Sequence, residues 1–176
     1  SFNDNEYYFA YRAPMVLEFK HANKDYIIVN NHFKCCGDGT INIHSNDEEY
    51  RRLKANQLLK EYIDQNHALD NVIIVGDLND SITDDDYNNV FLDFINSDNY
   101  QFTDFDIANG SSSYWSYPSW PSHLDHIIIS SELNSIFSYN QSFTETLLPD
   151  IEFYNGWSDY EDSISDHRPV RINLFY

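Results

Sequence analysis

Four short segments gather Asp, Asn and His against apolar runs. Asn30-Asn31-His32 follows Tyr26–Val29, and Gly76-Asp77-Leu78-Asn79 follows Val72–Val75. His123-Leu124-Asp125-His126 leads into Ile127–Ile129, and Ser165-Asp166-His167-Arg168-Pro169 leads into a closing alternating run. An imidazole beside a carboxylate is a polarised acid/base group. Asp, Asn and His with few thiols suit a hard cation, Mg²⁺ or Mn²⁺, better than zinc. Side chains alternate along a strand, so Asn30 with His32, Asp77 with Asn79, and His123 with Asp125 are each expected to share a face.

Each segment also has a plainer reading. Gly-Asp-x-Asn is more often a turn than a site, Asp-His-x-Pro can be a Pro-fixed cap, and His32 can be a structural histidine with satisfied partners. Together, at the ends of apolar runs, they point to one cleft, because strand-end groups converge in layered α/β folds.

The elements that must hold these residues are readable from periodicity. Met15–Lys20 and Tyr26–Val29 read as strands joined by a hairpin turn at Ala22–Asp25. Gly37-Asp38-Gly39 marks a loop. Asp47 is placed to cap a helix with Glu48 and Glu49 in its first turn and an inward stripe of Tyr50, Leu53, Gln57 and Tyr62 or Ile63. Val72–Val75 reads as a strand covered on both faces. The run Asp84, Asp85, Asp86 predicts a second helix start, with Val90, Phe91, Phe94 and Ile95 facing inward. Ile127–Ile129 and Val170–Phe175 read as strands, and Gly110–Ser122 as a loop. No repeat or linker divides residues 1–176, which predicts one α/β or mixed α+β layered domain.

Composition narrows the class. Hydrophobic residues make up 41% and aromatics 16% of 176 residues, too much apolar mass for a disordered chain. No apolar run is long enough to cross a bilayer, so no membrane span is expected. A net charge of −19 repels polyanions and leaves no continuous basic groove. A phosphate substrate would then need a carboxylate-held divalent cation to supply positive charge. The same charge also serves solubility alone. Cys35 and Cys36 are adjacent, neither a disulfide framework nor a C-x-x-C zinc set. A disulfide between them would close a strained small ring, and two thiols are the expected state. No Gly-x-Ser-x-Gly elbow is present, and the cysteines have no evident oriented base, so no covalent nucleophile is expected. Tyr114, Trp115, Tyr117 and Trp120 offer stacking surfaces for a base or apolar head group, or packing over the sheet edge. Asp159, Glu161 and Asp162 offer oxygens for a structural Ca²⁺, with a solvated charged face as the plainer reading.

In order and content, the four segments resemble the successive motifs of the endonuclease/exonuclease/phosphatase superfamily, the deoxyribonuclease I-like proteins. Arg12-Ala13-Pro14 resembles that family's Arg-x-Pro, so the resemblance runs from Arg12 to Val170. It implies a four-layer αββα sandwich of two mixed sheets with a divalent metal, Mg²⁺ or Mn²⁺, in the cleft between them. It implies Asp166 as metal ligand and His167 as the group contacting the scissile phosphate. Asp125 would hold the His167 tautomer, Asp77 would orient or deprotonate the attacking water, and Asn79 would position nucleophile and phosphate. His32 would be a second acid/base group. Arg12 and Asn30 would contact or support the phosphate, and Trp115 is a candidate substrate contact.

The family's early Asn and metal-binding Glu have no counterpart here, and Glu6 lies in the wrong context to replace them. The chain is therefore expected to be part of a longer enzyme that needs the absent N-terminal segment, with sheet edges exposed. The leading expectation is a metal-dependent phosphodiester hydrolase, a nuclease acting on DNA or RNA as a monomer. A phosphatase or phospholipid phosphodiesterase of the same chemistry is the alternative, and a catalytically inert scaffold is a third reading. A secreted or periplasmic address fits an acidic nuclease-like chain.

Overall fold

A tight turn sets the first hairpin. Ala22 and Asn23 both take left-handed backbone, with φ of 48° and 62°, and join β1 (Met15–His21) to β2 (Lys24–His32). The computed structural model describes residues 5–44 and 46–176. Helix α1 (Glu48–Asn66) carries the chain from β2 to the parallel strand β3 (Asn71–Asp77). There follow α2 (Leu92–Ile95), β4 (Tyr100–Phe102), α3 (Phe105–Ala108) and β5 (Asp125–Ser130). The last elements are α4 (Asn134–Phe137), β6 (Phe143–Thr146), α5 (Trp157–Ser163) and β7 (Val170–Asn173).

Five strands form a mixed sheet in the order β1-β2-β3-β5-β4, parallel only between β2 and β3, and β6 and β7 form a second antiparallel sheet. Strand alternation divides the core. Ile27, Val29, Val72, Ile74 and Ile128 face α1, where Ala55, Leu59 and Ile63 meet them with Phe91 and Phe94. Tyr26, Ile73, Ile127 and Ile129 face the second sheet, with Val170 and Ile172 of β7 packed against them. Each fully buried aliphatic or aromatic side chain contributes roughly 1.5–3 kcal/mol, so both faces hold the sandwich together. The expected α/β sandwich of two sheets is thus present, but only the first sheet is mixed: the second has just the antiparallel pair β6 and β7. Strand β1 is an edge, with Met15, Val16, Leu17 and Phe19 exposed. Among the described residues, no helix is long and apolar enough to cross a membrane.

Two predicted elements are corrected. The helix expected from Asp84–Asp86 is instead a series of turns leading to the single turn of α2. Asn89, itself buried, holds those turns: its Nδ2 donates to Ile82 O and Asp84 O, and its Oδ1 accepts from Phe91 N at 2.8 Å. Such local side-chain bonds compete with a helix ladder. Helix α1 begins where predicted, with the Asp47 carboxylate accepting from Tyr50 N at 2.7 Å, but its buried stripe is different. Glu49, Arg52, Asn56, Leu59 and Ile63 point inward, while Tyr50, Leu53, Gln57 and Tyr62 are only half-buried. Charged residues can occupy that stripe because Arg52 is paired with Asp80 at 2.7 Å and with Glu49 at 3.3 Å.

Candidate active site

Register places the first three site residues in a row. His32 on β2 stands opposite Asp77 on β3, and Asp77 stands opposite Asp125 on β5. All three belong to the sheet face that meets the second sheet, as does Asn30. Gly76 is required immediately before Asp77: its φ is +133°, and a Cβ there would lie 1.9 Å from Asn31 O. Asn79 follows in left-handed backbone with φ 56°, a conformation that Asn tolerates better than most residues. Its amide donates to Asp77 Oδ1 at 3.1 Å, and its Nδ2 donates to Phe33 O at 3.3 Å.

His167 comes from the turn before β7. Its Nδ1 is bonded to Asp125 Oδ2 at 2.6 Å, and its Nε2 lies 3.9 Å from Asp77 Oδ2. From the opposite side, His32 Nε2 lies 3.4 Å from the same Asp77 oxygen. Asp77 is therefore flanked by two imidazoles. Arg168 fixes the turn, with Nε and Nη2 donating to Asp150 at 2.8 and 2.7 Å and Nη1 donating to Ser113 O. Tyr117 packs on the His167 ring, with centroids 4.8 Å apart.

Electrostatics follow from this crowding. Burial, then the Asp125 charge, push the Asp77 carboxyl above the usual carboxylate range, against the pull of His167 and His32. Burial works against a charged His167, but the Asp125 hydrogen bond and the Asp125 and Asp77 charges outweigh it and raise the imidazole pKa. Asp77, Asp125 and His167 bring ligand atoms within 4.8 Å of one another. Asp166 lies outside that group but lines the same cleft, and the carboxylate oxygens gathered there are the hard donors that fit a divalent cation.

A cleft of about 540 Å³ is lined by His32, Asp77, Asn79, Asp166 and His167. The remaining expected residues lie around it or away from it. Arg12 donates to Phe33 O at 2.9 Å, the carbonyl that also receives Asn79, so it supports the site from behind. Asn30 sits on the same face but outside the cleft lining. Trp115 turns away, its indole donating to Ile107 O at 3.0 Å, whereas Tyr117 and Trp120 line the cleft. Cys35 and Cys36 also line it, a placement that spacing close behind His32 hinted at but did not determine.

His123 does not share a face with Asp125. It lies buried on the far side of the sheet with Asp104 and His126. Alternation fails there because β5 begins only at Asp125. Asp104 Oδ2 accepts from His123 at 3.1 Å and His126 at 2.6 Å, and Oδ1 accepts from Ile127 N. His126 Nε2 donates to Asp80 O, and His123 Nδ1 accepts from Ser116 N. These bonds use both ring nitrogens of each histidine, so this second cluster of possible ligands is a hydrogen-bond network. It ties Asp80, three residues beyond Asp77, to the strand carrying Asp125. Asp159 and Glu161 are likewise engaged, with Asn155 and Ser119, and among the described residues no converging ligand group includes them.

A two-sheet α/β sandwich with paired Asp and His across the sheet ends is the architecture of the DNase I-like phosphoesterases. The chain belongs to the Endonuclease/Exonuclease/phosphatase family, whose model matches residues 5–167. No curated protein sequence matches it. Among solved structures it resembles D. rerio TDP2 complexed with single strand DNA product, with a TM-score of 0.57 and 11% identity over 92% of this chain and 61% of that one. It also resembles beta toxin from Staphylococcus aureus (TM-score 0.58, 13% identity, 93% of this chain and 57% of that one). A third is the mannosyl-6-phosphatase Bt3783 of Bacteroides thetaiotaomicron (TM-score 0.51, 16% identity, 88% and 53%). At these identities the likeness is one of fold. The chain spans 46–61% of the length of the structures it resembles.

Proposed function

We propose that this chain carries the catalytic groups of a divalent-metal-dependent phosphodiester hydrolase, with a nucleic acid as substrate. The observation that carries the reading is the placement of Asp77 between the Nε2 atoms of His32 and His167, with His167 anchored by Asp125. A phosphodiester anion repels an incoming nucleophile, so hydrolysis needs charge neutralisation, an oriented water and a proton for the departing alkoxide. Asp166 would hold Mg²⁺ or Mn²⁺, which when bound supplies positive charge against the phosphate oxygens.

The chain's own groups provide the rest. Asp77, with its raised pKa, accepts a proton from the attacking water more readily than an ordinary carboxylate. Asn79 positions that water and the phosphate. Asp125 fixes Nδ1 of His167 as the protonated nitrogen toward itself, so the charged imidazole presents Nε2–H to a phosphate oxygen. His32, beside Asp77, would hand a proton to the leaving oxygen. Trp120, exposed at the cleft, offers a stacking face for a base.

A small phosphate ester is the second reading, favoured by the net charge of −19, which opposes the approach of a polyanion. Plasmid nicking compared with release of nitrophenol from bis(nitrophenyl) phosphate, both with Mg²⁺, separates the two. Nicking at low salt with little ester release supports the nuclease. Ester release without nicking transfers the site to small substrates, and loss of neither activity in Asp77→Asn removes both.

A further inference from the structure

We propose that Cys35 and Cys36 are a reversible thiol–disulfide modification site in the cleft wall, taking small disulfides of the glutathione class as oxidant. Its consequence for hydrolysis rests on the function proposed above, whereas its thiol chemistry does not. Both thiols are exposed and line the same cleft as Asp77 and His167.

The backbone presenting them is held from beneath. Arg52, buried in α1, donates through Nη1 to the carbonyls of Lys34 at 2.7 Å and Cys36 at 2.8 Å, the residues on either side of the Cys35 peptide units. Its other nitrogens are anchored on Asp80 and Glu49. Cys36 takes φ +74°, which a residue with a Cβ adopts only when its surroundings enforce it. Gly37 follows at φ +115°, where a Cβ would collide with the Glu49 carboxylate. One guanidinium thus ties the cysteine pair both to α1 and to the segment carrying Asp77 and Asn79.

The thiols are also matched as attacker and resolver. The Cys36 S–H donates to Cys35 Sγ at 2.8 Å, and the Lys34 ammonium lies 3.7 Å from the same sulfur. The bond from Cys36 and the Lys34 charge outweigh burial and lower the Cys35 pKa, while Cys36 is raised. The Cys35 thiolate attacks one sulfur of the small disulfide, forming a mixed disulfide and releasing one thiolate. Cys36, losing its proton, then attacks Cys35 Sγ and expels the second. The two cysteine protons end on the two released thiols, so the small disulfide is reduced to a pair of thiols as the cysteines are oxidised. Adjacent Cα atoms lie only about 3.8 Å apart across a trans peptide, closer than the about 4.4–6.8 Å usual for disulfides. Such a bond is readily reduced again, as a regulatory bond must be.

The test is oxidised glutathione added to the purified chain, followed by thiol titration in denaturant, intact mass and tryptophan fluorescence. Expected are loss of both thiols together, a mass lower by two hydrogens without retained glutathione, and full reversal by dithiothreitol. Cys36→Ser should stop at one retained glutathione on Cys35. Oxidation should change a fluorescence component absent from Trp120→Phe, and slow phosphodiester hydrolysis several-fold in the wild type but not in the Cys35→Ala/Cys36→Ala double variant. Thiols that persist, or a wild-type chain that retains glutathione, overturn the proposal. A disulfide that forms without altering the Trp120 signal overturns its link to the cleft. Thiol exchange in a chain that hydrolyses nothing in either state defeats the proposed function and leaves the modification site standing.

Discussion

Asp77 and Asp125 are directly opposed partners across the antiparallel β3–β5 ladder, both in the half-buried end of the sheet. Like charges in that position destabilise a sheet. The fold tolerates the pair because His167 bonds Asp125 and lies close to Asp77, so three groups form one electrostatic unit.

Removing the Asp77 charge should therefore stabilise the protein while disabling it. Because its folded pKa is raised, ionised Asp77 costs stability once the pH exceeds that pKa. Asp77→Asn, measured by thermal unfolding at pH 7.5 with chelator present, should gain about 0.5–1 kcal/mol. An unchanged or lower midpoint would show that the opposition is already neutralised.

Asp125→Asn should leave the fold intact and lower hydrolysis by about 10²-fold or more, since the imidazole loses its fixed tautomer. The raised His167 pKa adds a sign. The His167–Asp125 pair contributes stability that is fully present below the unfolded histidine pKa and is lost as pH rises through the higher folded one. Imidazole titration followed by NMR should show His167 moving to lower pKa in Asp125→Asn. A pKa that does not move would remove Asp125 from its orienting role.

The buried Asp104–His126 pair makes a different demand. Burial opposes the charge on Asp104, yet His126 and His123 hold its carboxyl well below the usual range. Asp104→Ala strands a charged imidazole in the core and should cost about 3–5 kcal/mol in urea unfolding. As a hydrogen-bond network it should give no metal-dependent stability of its own. A Zn²⁺-dependent gain in stability that Asp104→Ala or His123→Ala abolishes would make it a metal site instead.

Asp84 resists ionisation. Burial, then the charge of Asp80, lift its pKa to about 6. The folded state thus binds more protons than the unfolded one between about pH 4 and 6, so stability falls as pH rises through that window and stays reduced above it. Asp84→Asn should raise stability at pH 7.5 by about 1 kcal/mol, discounted for its half-exposure, and change little at pH 3.5. Equal effects at both pH values would point to packing rather than charge.

Residues that terminate strands are legible because they interrupt apolar runs of fixed period, as His32, Asp77 and Asp125 do. Residues whose position depends on a distant partner are not. Glu49 and Arg52 look like a solvated helix face until Asp80, Lys34 and Cys36 are brought against them. The acidic run at Asp84–Asp86 resembles a helix start because charge preference is local, whereas the Asn89 side chain that overrides it acts across several residues. His123 obeyed its hydrogen bonds with Asp104 and Ser116, not the alternation of a strand that had not yet begun. Nothing in the spacing distinguishes Trp115, turned to Ile107, from Trp120, left at the cleft.

The most direct measurement is the rate of phosphodiester hydrolysis as Mg²⁺ is titrated, for the wild type and His167→Ala in parallel. The account predicts turnover that rises with Mg²⁺ in the wild type and falls by about 10²-fold or more in the variant. Equal rates in the two proteins, or turnover indifferent to Mg²⁺ and chelator, would contradict it.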